Sequence, residues 1–537
     1  MTNHNQHWSE KIADQVIERF PNNDTYTCAA GISPSGVVHF GNFRDVATAY
    51  AVAEALKKKG KKVRLIFSWD DYDRLRKVPH GIDPSFEEYI GTSLSAIPSP
   101  NENYSSYAEK FEKKFEKAME AVGIELDYRY QTKEYNSGRY DDLIIHALRK
   151  RKELADILLS FMSEKGKANK NIDPEKYKNE YYPISVYSQF TGKDNTKVID
   201  YDGNSTITYK CFDSGKTETI DIRKKRIVKL SWKVDWAMRW KEEEVNFEPG
   251  GADHAAPGGS YDVSKNIAKD IFDITPPLFQ EYLFVGIQGL GSKMSGSKGN
   301  VISPDDLLEI YTPELLKWTY FRRIPNQTFE LSFGSEIYKQ YSEFDNDILK
   351  LNEGTLENSG KFALNLSGVY QEDRLPNIPF RQAVAFGQIV QWDKNKLSHI
   401  LKGMELNYDP KSIDERIEKA KNWLEKYNND QVIRILDQIN FVYVNQMNPE
   451  QKEQVNSLME SLKEKEDLSI KELDTIVYAI PKKEELSIKE NAPLQRAFFK
   501  DVYNLLIGKD TGPRLSTFLW AADRKKVINL LDIKKGS

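Results

Sequence analysis

The chain has 537 residues, of which 39% are hydrophobic and 29% charged, with a net charge of −4 and two cysteines. That length exceeds one hydrophobic core and predicts about three or four domains. Two cysteines exclude a disulfide framework, no stretch approaches the ~20 apolar residues of a membrane span, and the small net negative charge excludes a histone-like coat on nucleic acid.

In chain order, the polar opening 1–10 lacks the apolar centre of a secretory signal, so a cytoplasmic protein is expected. Tyr26 to Ala30, Asn42 to Lys59 and Val63 to Trp69 read as strand, helix and strand, with Gly60 closing the helix. This βαβ unit implies a right-handed crossover and a doubly wound parallel sheet. Tyr107, Phe111, Phe115, Met119 and Val122 recur at helical spacing. A second helix is expected from Arg139 to Glu164, then short strands at Lys197 to Tyr201, Thr206 to Phe212 and Thr217 to Ile222, as in an insertion. Strand character returns at Tyr282 to Ile287. Beyond Phe321 helices dominate: Ile413 to Tyr427, Gln431 to Tyr443, Glu450 to Leu462, Pro493 to Ile507 (proline in the first turn) and Arg524 to Leu531.

The expected fold is therefore α/β: a Rossmann-type doubly wound parallel sheet, split by an α+β insertion and followed by an all-helical C-terminal domain. The boundaries are 1–97 and 231–290 for the two halves of the sheet domain, 98–230 for the insertion, 291–343 for a loop and connecting region, and 344–537 for the helical domain.

Four segments carry chemistry. Gly31-Ile32-Ser33-Pro34-Ser35-Gly36-Val37-Val38-His39-Phe40-Gly41-Asn42 joins the first strand to a helix N-terminus, where amides and an imidazole face an anionic ligand. Lys293-Met294-Ser295-Gly296-Ser297-Lys298 sets two lysines and two serines on a glycine-flanked loop suited to phosphates. Ser231 to Trp240 holds three tryptophans and is followed by Asp253-His254; aromatic walls beside Asp and His describe a pocket for a cationic side chain. Phe67-Ser68-Trp69-Asp70-Asp71-Tyr72-Asp73-Arg74 ends the second strand in carboxylates.

The first two segments, in this order, resemble the HIGH and KMSKS signatures of class I aminoacyl-tRNA synthetases. With the tryptophan and aspartate segments the chain resembles the class I lysyl-tRNA synthetases. That resemblance implies ATP-dependent activation of L-lysine and its transfer to tRNA(Lys), with His39, Asn42, Lys293, Ser295, Ser297 and Lys298 as catalytic residues. One departure stands in the loop: Gly296 occupies the family's second lysine position, so Lys293 is the main pyrophosphate contact and Lys298 its partner. ATP would be held by Ser33, Pro34, Gly36, His39, Gly41, Asn42, Lys293 and Met294, with Mg²⁺ accompanying the nucleotide. Lysine would be held by Gly31, Ser33, Asp70, Trp232, Asp253 and His254, Asp70 taking the α-ammonium group. The helical domain would bind the anticodon, with Arg514, Trp520, Arg524, Lys525 and Lys526 as RNA contacts. A monomer with no membrane partner is expected.

Related enzymes often carry paired-cysteine zinc knuckles near Tyr187-Ser188-Gln189-Phe190 and Tyr209 to Gly215. Only Cys211 stands here, so no zinc and a knuckle held by packing are expected. A glutamyl specificity, a small nucleotidyltransferase and a non-enzymatic RNA-binding protein are the alternatives. The Asp-, Trp- and His-rich character of the pocket segments, the long helical region and the phosphate-type loops respectively argue against them.

Overall fold

The computed structural model describes residues 5–101, 103–163, 172–288, 302–370 and 374–536. They form two compact units, Met1–Ser332 with Thr355–Tyr370, and Phe333–Gly354 with Gln371–Ser537.

The first unit is built on α1 (Trp8–Arg19), β1 (Thr25–Ile32), α2 (Phe43–Lys58), β2 (Lys62–Trp69), α3 (Tyr107–Ala121), β3 (Asp127–Tyr130), α4 (Trp232–Glu242), β4 (Val245–Gly251), α5 (Ser260–Asp270) and β5 (Leu278–Tyr282). The five strands form one parallel sheet in the order β5-β4-β1-β2-β3. The chain winds outward from β1 in one direction through β2 and β3, then resumes on the other side through β4 and β5. The strand order thus reverses at β1, and in such sheets a crevice opens beyond the carboxyl ends of the strands at that point. Helix α2 is buried on nearly all sides, which its alanines at 47, 49, 51, 53 and 55 permit by allowing close approach to the sheet.

The expected βαβ unit and the amphipathic helix at Tyr107 are present within two residues. The helix expected from Arg139 to Glu164 is instead two, Asp141–Arg149 and Arg151–Ser160, broken where the Lys150 backbone leaves helical geometry (φ −91°, ψ 11°); its expected end, Glu164, lies outside the described residues. The strand expected at Tyr282 to Ile287 is also two elements. The sheet strand β5 ends at Tyr282, while Val285–Ile287 pairs with Phe329–Leu331 in a separate parallel ladder. The insertion carries an antiparallel three-stranded sheet, Thr196–Tyr201, Thr206–Cys211 and Thr217–Asp221.

The second unit is helical among its described residues, with two corrections to expectation. Gln431 to Tyr443 is mostly not helix. Its backbone is bonded elsewhere, Ile433 N–H donating to Gln388 Oε1 (2.5 Å), Leu436 N–H to Leu506 O (2.8 Å), and the carbonyls of Asp430 and Val432 accepting from Lys509 Nζ. These tertiary bonds override local propensity. The fourth expected helix starts at Ile488, because Ser487 and Glu490 form a reciprocal capping box there. Pro493 therefore lies inside the helix rather than in its first turn.

Candidate active site

The site grows from the end of β1. A side chain at Gly31 would place its Cβ 2.9 Å from Ser68 O on β2, so only glycine lets the strands approach there. The freed Gly31 N–H donates to Asp45 Oδ2 on α2 (3.2 Å). Beyond Ser33 the chain turns back: Asn42 N–H donates to His39 O (2.9 Å), and His39 N–H to Asn42 Oδ1 (3.2 Å). The His39 ring covers Gly41, where a Cβ would lie 2.8 Å from Cε1 and Nδ1. Nδ1 is buried and has no hydrogen-bond partner among the described residues. Burial holds the His39 imidazole below its ordinary pKa, so at neutral pH it is an uncharged N–H donor at the start of a helix.

The turn is strapped from behind. Tyr320 Oη donates to Phe40 O (2.9 Å), and Phe40 N–H donates to Ile302 O (3.1 Å). The buried Arg44 guanidinium gives its protons to the carbonyls of Ile324 (2.6 Å), Pro325 (3.1 Å) and Gln327 (3.3 Å). Lys293, Met294, Ser295, Ser297 and Lys298 lie outside the described residues. The chain is again described at Ile302, bonded to the residue beside His39.

Two cavities open at the carboxyl ends of the strands. One, of about 470 Å³, is lined by Ser33, Gly36, His39 and Asn42 together with Arg74, Arg76 and Lys77. The other, of about 200 Å³, shares Ile32, Ser33 and Asn42 with the first and is otherwise walled by Gly31, Asp45, Phe67, Asp70, Phe115, Trp232, His254 and Tyr282. Five of the six residues expected to hold lysine thus meet in one cavity. Asp253 is not on its wall and is exposed.

Three wall residues escaped the sequence reading: Asp45, in the first turn of α2; Tyr282, the last residue of β5; and Phe115 of α3, whose helical spacing identified only a buried face. Burial drives the Asp45 carboxyl well above the usual carboxylate range, and the charge of Glu248 adds to this, against hydrogen bonds from Gly31 N–H and the Tyr282 hydroxyl. Among the described residues Asp45 has no ion-pair partner. Asp70 differs. Burial raises it too, but Arg239 Nη1 lies 2.7 Å from its Oδ1 and opposes the shift. A buried carboxylate without a cation is costly, so the Asp45 end of the cavity is complementary to a ligand cation. Trp232 and Trp236 stack at 5.1 Å between centroids and the His254 ring tilts against both, supplying the aromatic faces such a cation favours.

In the insertion, Cys211 is buried with Thr191 Oγ1 3.8 Å from its sulfur. Burial raises its thiol, but hydrogen bonds from Ser188, Ser214 and Thr191 outweigh this and bring it down to about 7. Ser188-x-x-Thr191 and Cys211-x-x-Ser214 have the paired spacing of a four-thiol knuckle with three hydroxyls in thiol positions. The triple variant S188C/T191C/S214C is expected to bind about one equivalent of Zn²⁺ that the parent does not take up. Elemental analysis showing equal zinc in both would contradict this. Among the described residues no group of three or more His, Cys, Asp or Glu side chains is placed to hold a metal.

Of the five expected RNA contacts, four are engaged within the second unit. Arg514 is bridged to Asp474 and Lys526 to Asp437 (2.7 Å). Trp520 lies nearly parallel to His399 at 5.8 Å, and Arg524 caps a helix by donating to the carbonyls of Leu462 (2.9 Å) and Glu466 (2.7 Å). Lys525 is exposed. The same unit has a cavity of about 510 Å³ lined by the exposed Phe441 with Asn445, Lys452 and Asn456.

A five-stranded parallel sheet, a switch-point crevice and a histidine turn opening a helix define the catalytic core of the class I tRNA synthetases. Residues 6–367 match the family described as tRNA synthetases class I (K). Lysine–tRNA ligases of Pyrococcus horikoshii (35% identity, covering 98% of this chain and 99% of the relative), Borreliella burgdorferi (34%, 96% and 96%) and Streptomyces coelicolor (34%, 98% and 98%) are similar over nearly their whole lengths. The chain belongs to the lysine-type family of class I tRNA synthetases.

Proposed function

We propose that this chain is a lysine–tRNA ligase. It uses ATP to activate L-lysine and transfers the lysyl group to the terminal ribose of tRNA(Lys), releasing AMP and pyrophosphate. The observation that carries the lysine assignment is the buried Asp45 carboxylate, without a cationic partner among the described residues, on the wall of a cavity that adjoins the one containing His39.

In this reading Asp45 and Tyr282 receive the ε-ammonium group, Asp70 the α-ammonium group, and Trp232 and His254 flank the aliphatic stem. A lysine carboxylate oxygen attacks the α-phosphorus of ATP, and the bond to the bridging oxygen of pyrophosphate breaks. The neutral His39 N–H and the amides at the Asn42 helix start hold phosphate oxygens on one side. Lys293, with Lys298, Ser295 and Ser297, serves the pyrophosphate from the other; the return of the chain at Ile302, bonded to Phe40, supports that pairing. Mg²⁺, bound with the nucleotide, would supply positive charge to the phosphates. Ser33, Pro34, Gly36 and Gly41 shape the nucleotide side. A ribose hydroxyl of the tRNA, by class the 2′-hydroxyl, then attacks the lysyl carbonyl and AMP leaves. The test is ATP-dependent charging of a tRNA(Lys) transcript with labelled lysine; a transcript left uncharged under saturating substrates would overturn the reading.

The second unit is assigned to the anticodon. Since four of the basic and aromatic residues expected there are held internally, its cavity at Phe441, Asn445, Lys452 and Asn456 is the better seat for an unpaired base, with an aromatic face, amides for a base edge and a cation for phosphate. The variant F441A/K452A is expected to raise the KM for tRNA about tenfold, the loss of one stacked base, without changing lysine-dependent pyrophosphate exchange. An unaltered tRNA KM in charging assays would remove the cavity from the account.

A further inference from the structure

Behind the wall formed by Asp70 and Trp232 lies a buried charge network that none of the motifs contains as a unit. Arg239, on α4, reaches Asp70 Oδ1 at 2.7 Å and Asp235 Oδ2 at 3.1 Å; the three side chains are 9%, 11% and 0% exposed. Lys229 lies 2.6 Å from Asp73 and 3.6 Å from Asp235. Asp235 also accepts a short hydrogen bond from Tyr135 Oη, which itself accepts from Leu230 N–H at 3.2 Å. The guanidinium carbon of Arg239 lies 5.3 Å from the centroid of the Trp232 ring. One buried cation therefore touches two walls of the amino-acid cavity, the Asp70 carboxylate and the Trp232 indole, without lining the cavity itself.

A buried ion network commonly gives no more stability than apolar side chains of the same volume, so this arrangement is poorly explained as a stability device. Its geometry fits another role. Asp235, four residues before Arg239 on one helix face, fixes the guanidinium from behind. The guanidinium serves both carboxylates, Asp70 by a hydrogen bond from Nη1 and Asp235 by an ion pair that lacks hydrogen-bond geometry.

We propose that Arg239 is a positioning residue for amino-acid recognition: anchored by Asp235, it holds the Asp70 carboxylate and the Trp232 ring in the arrangement that receives the substrate. This rests on the reading of the 200 Å³ cavity as the amino-acid site. Asp70 is faced by Arg239 and Asp235 from α4, by Lys229 from the strand Val228–Leu230, by Asp71 and Asp73 from its own loop and by Glu248 from β4. Without Arg239 the carboxylate would stand among four acidic groups, with Lys229 opposing them among the described residues.

The test compares R239Q and R239K with the parent in steady-state pyrophosphate exchange from pH 6 to 9. The KM for lysine should rise about tenfold in R239Q, the loss of one charge-assisted hydrogen bond, with the KM for ATP unchanged. The rise should be steepest at low pH, where Asp70 takes up a proton, and should shrink as pH increases. R239K should shift in the same direction by less. In a double-mutant cycle R239Q should add little to D70N, because both act through one carboxylate. A lysine KM that stays at the parental value at every pH, in whichever Arg239 variant folds, overturns the proposal. If D70N itself leaves the lysine KM unchanged, the cavity reading fails instead.

Discussion

Replacing Asp45 by asparagine is expected to raise the KM for lysine by about 10²–10³-fold, the cost of leaving a buried cation without its counter-charge. The KM for ATP should stay near its parental value. Among the described residues Asp45 is the acidic wall residue of the cavity with no cation beside it, so a bound substrate ammonium would supply the missing charge. The pH dependence follows from the same burial. In the free protein the Asp45 carboxyl is raised well above the usual range; a lysine ammonium held there would require the ionised form, so binding would release a proton. Lysine affinity should therefore weaken as pH falls through the raised value and level off above it. The asparagine variant, with nothing to titrate, should lose that dependence. Calorimetric titration with lysine at several pH values measures both; a parental pH profile in D45N would contradict the assignment.

His39→Ala is expected to slow adenylate formation about a hundredfold, the usual loss for one preorganised donor to a developing phosphate charge. Lysine binding should change little, since His39 lies on the wall of the larger cavity and not of the 200 Å³ cavity proposed for the amino acid. Because burial lowers its pKa from 6.5, the His39-dependent rate should not titrate near that value but only at lower pH. Stopped-flow measurement of a single turnover separates this from product release. A near-parental rate of adenylate formation would show that the imidazole is not at the phosphates.

The geometry of the histidine turn was legible because its residues are adjacent in sequence: glycines for close approach, a histidine, then a helix start. The βαβ unit was legible for the same reason, its hydrophobic periods being local. What escaped depends on contacts between distant segments. Asp45 reads as a polar residue in the first turn of a helix, and only the return of β4 and β5 beside β1 encloses it. Tyr282 was read as the start of a strand; it is the end of one, which is what places it on the cavity. Arg239 was one basic residue among tryptophans until Asp70, 169 positions away, was brought against it. In the second unit Arg524 and Lys526 looked like an RNA stripe, but neighbouring helices claim them as a cap and an ion pair. Local sequence gives no sign of such claims.

The most direct measurement is ATP–pyrophosphate exchange with each of the twenty amino acids presented singly to the full-length protein. Exchange supported by lysine alone, and lost in D45N at the same lysine concentration, is the result expected. Exchange supported by glutamate, or by no amino acid, would contradict the central claim that the crevice at the end of β1 is a lysine-activating site.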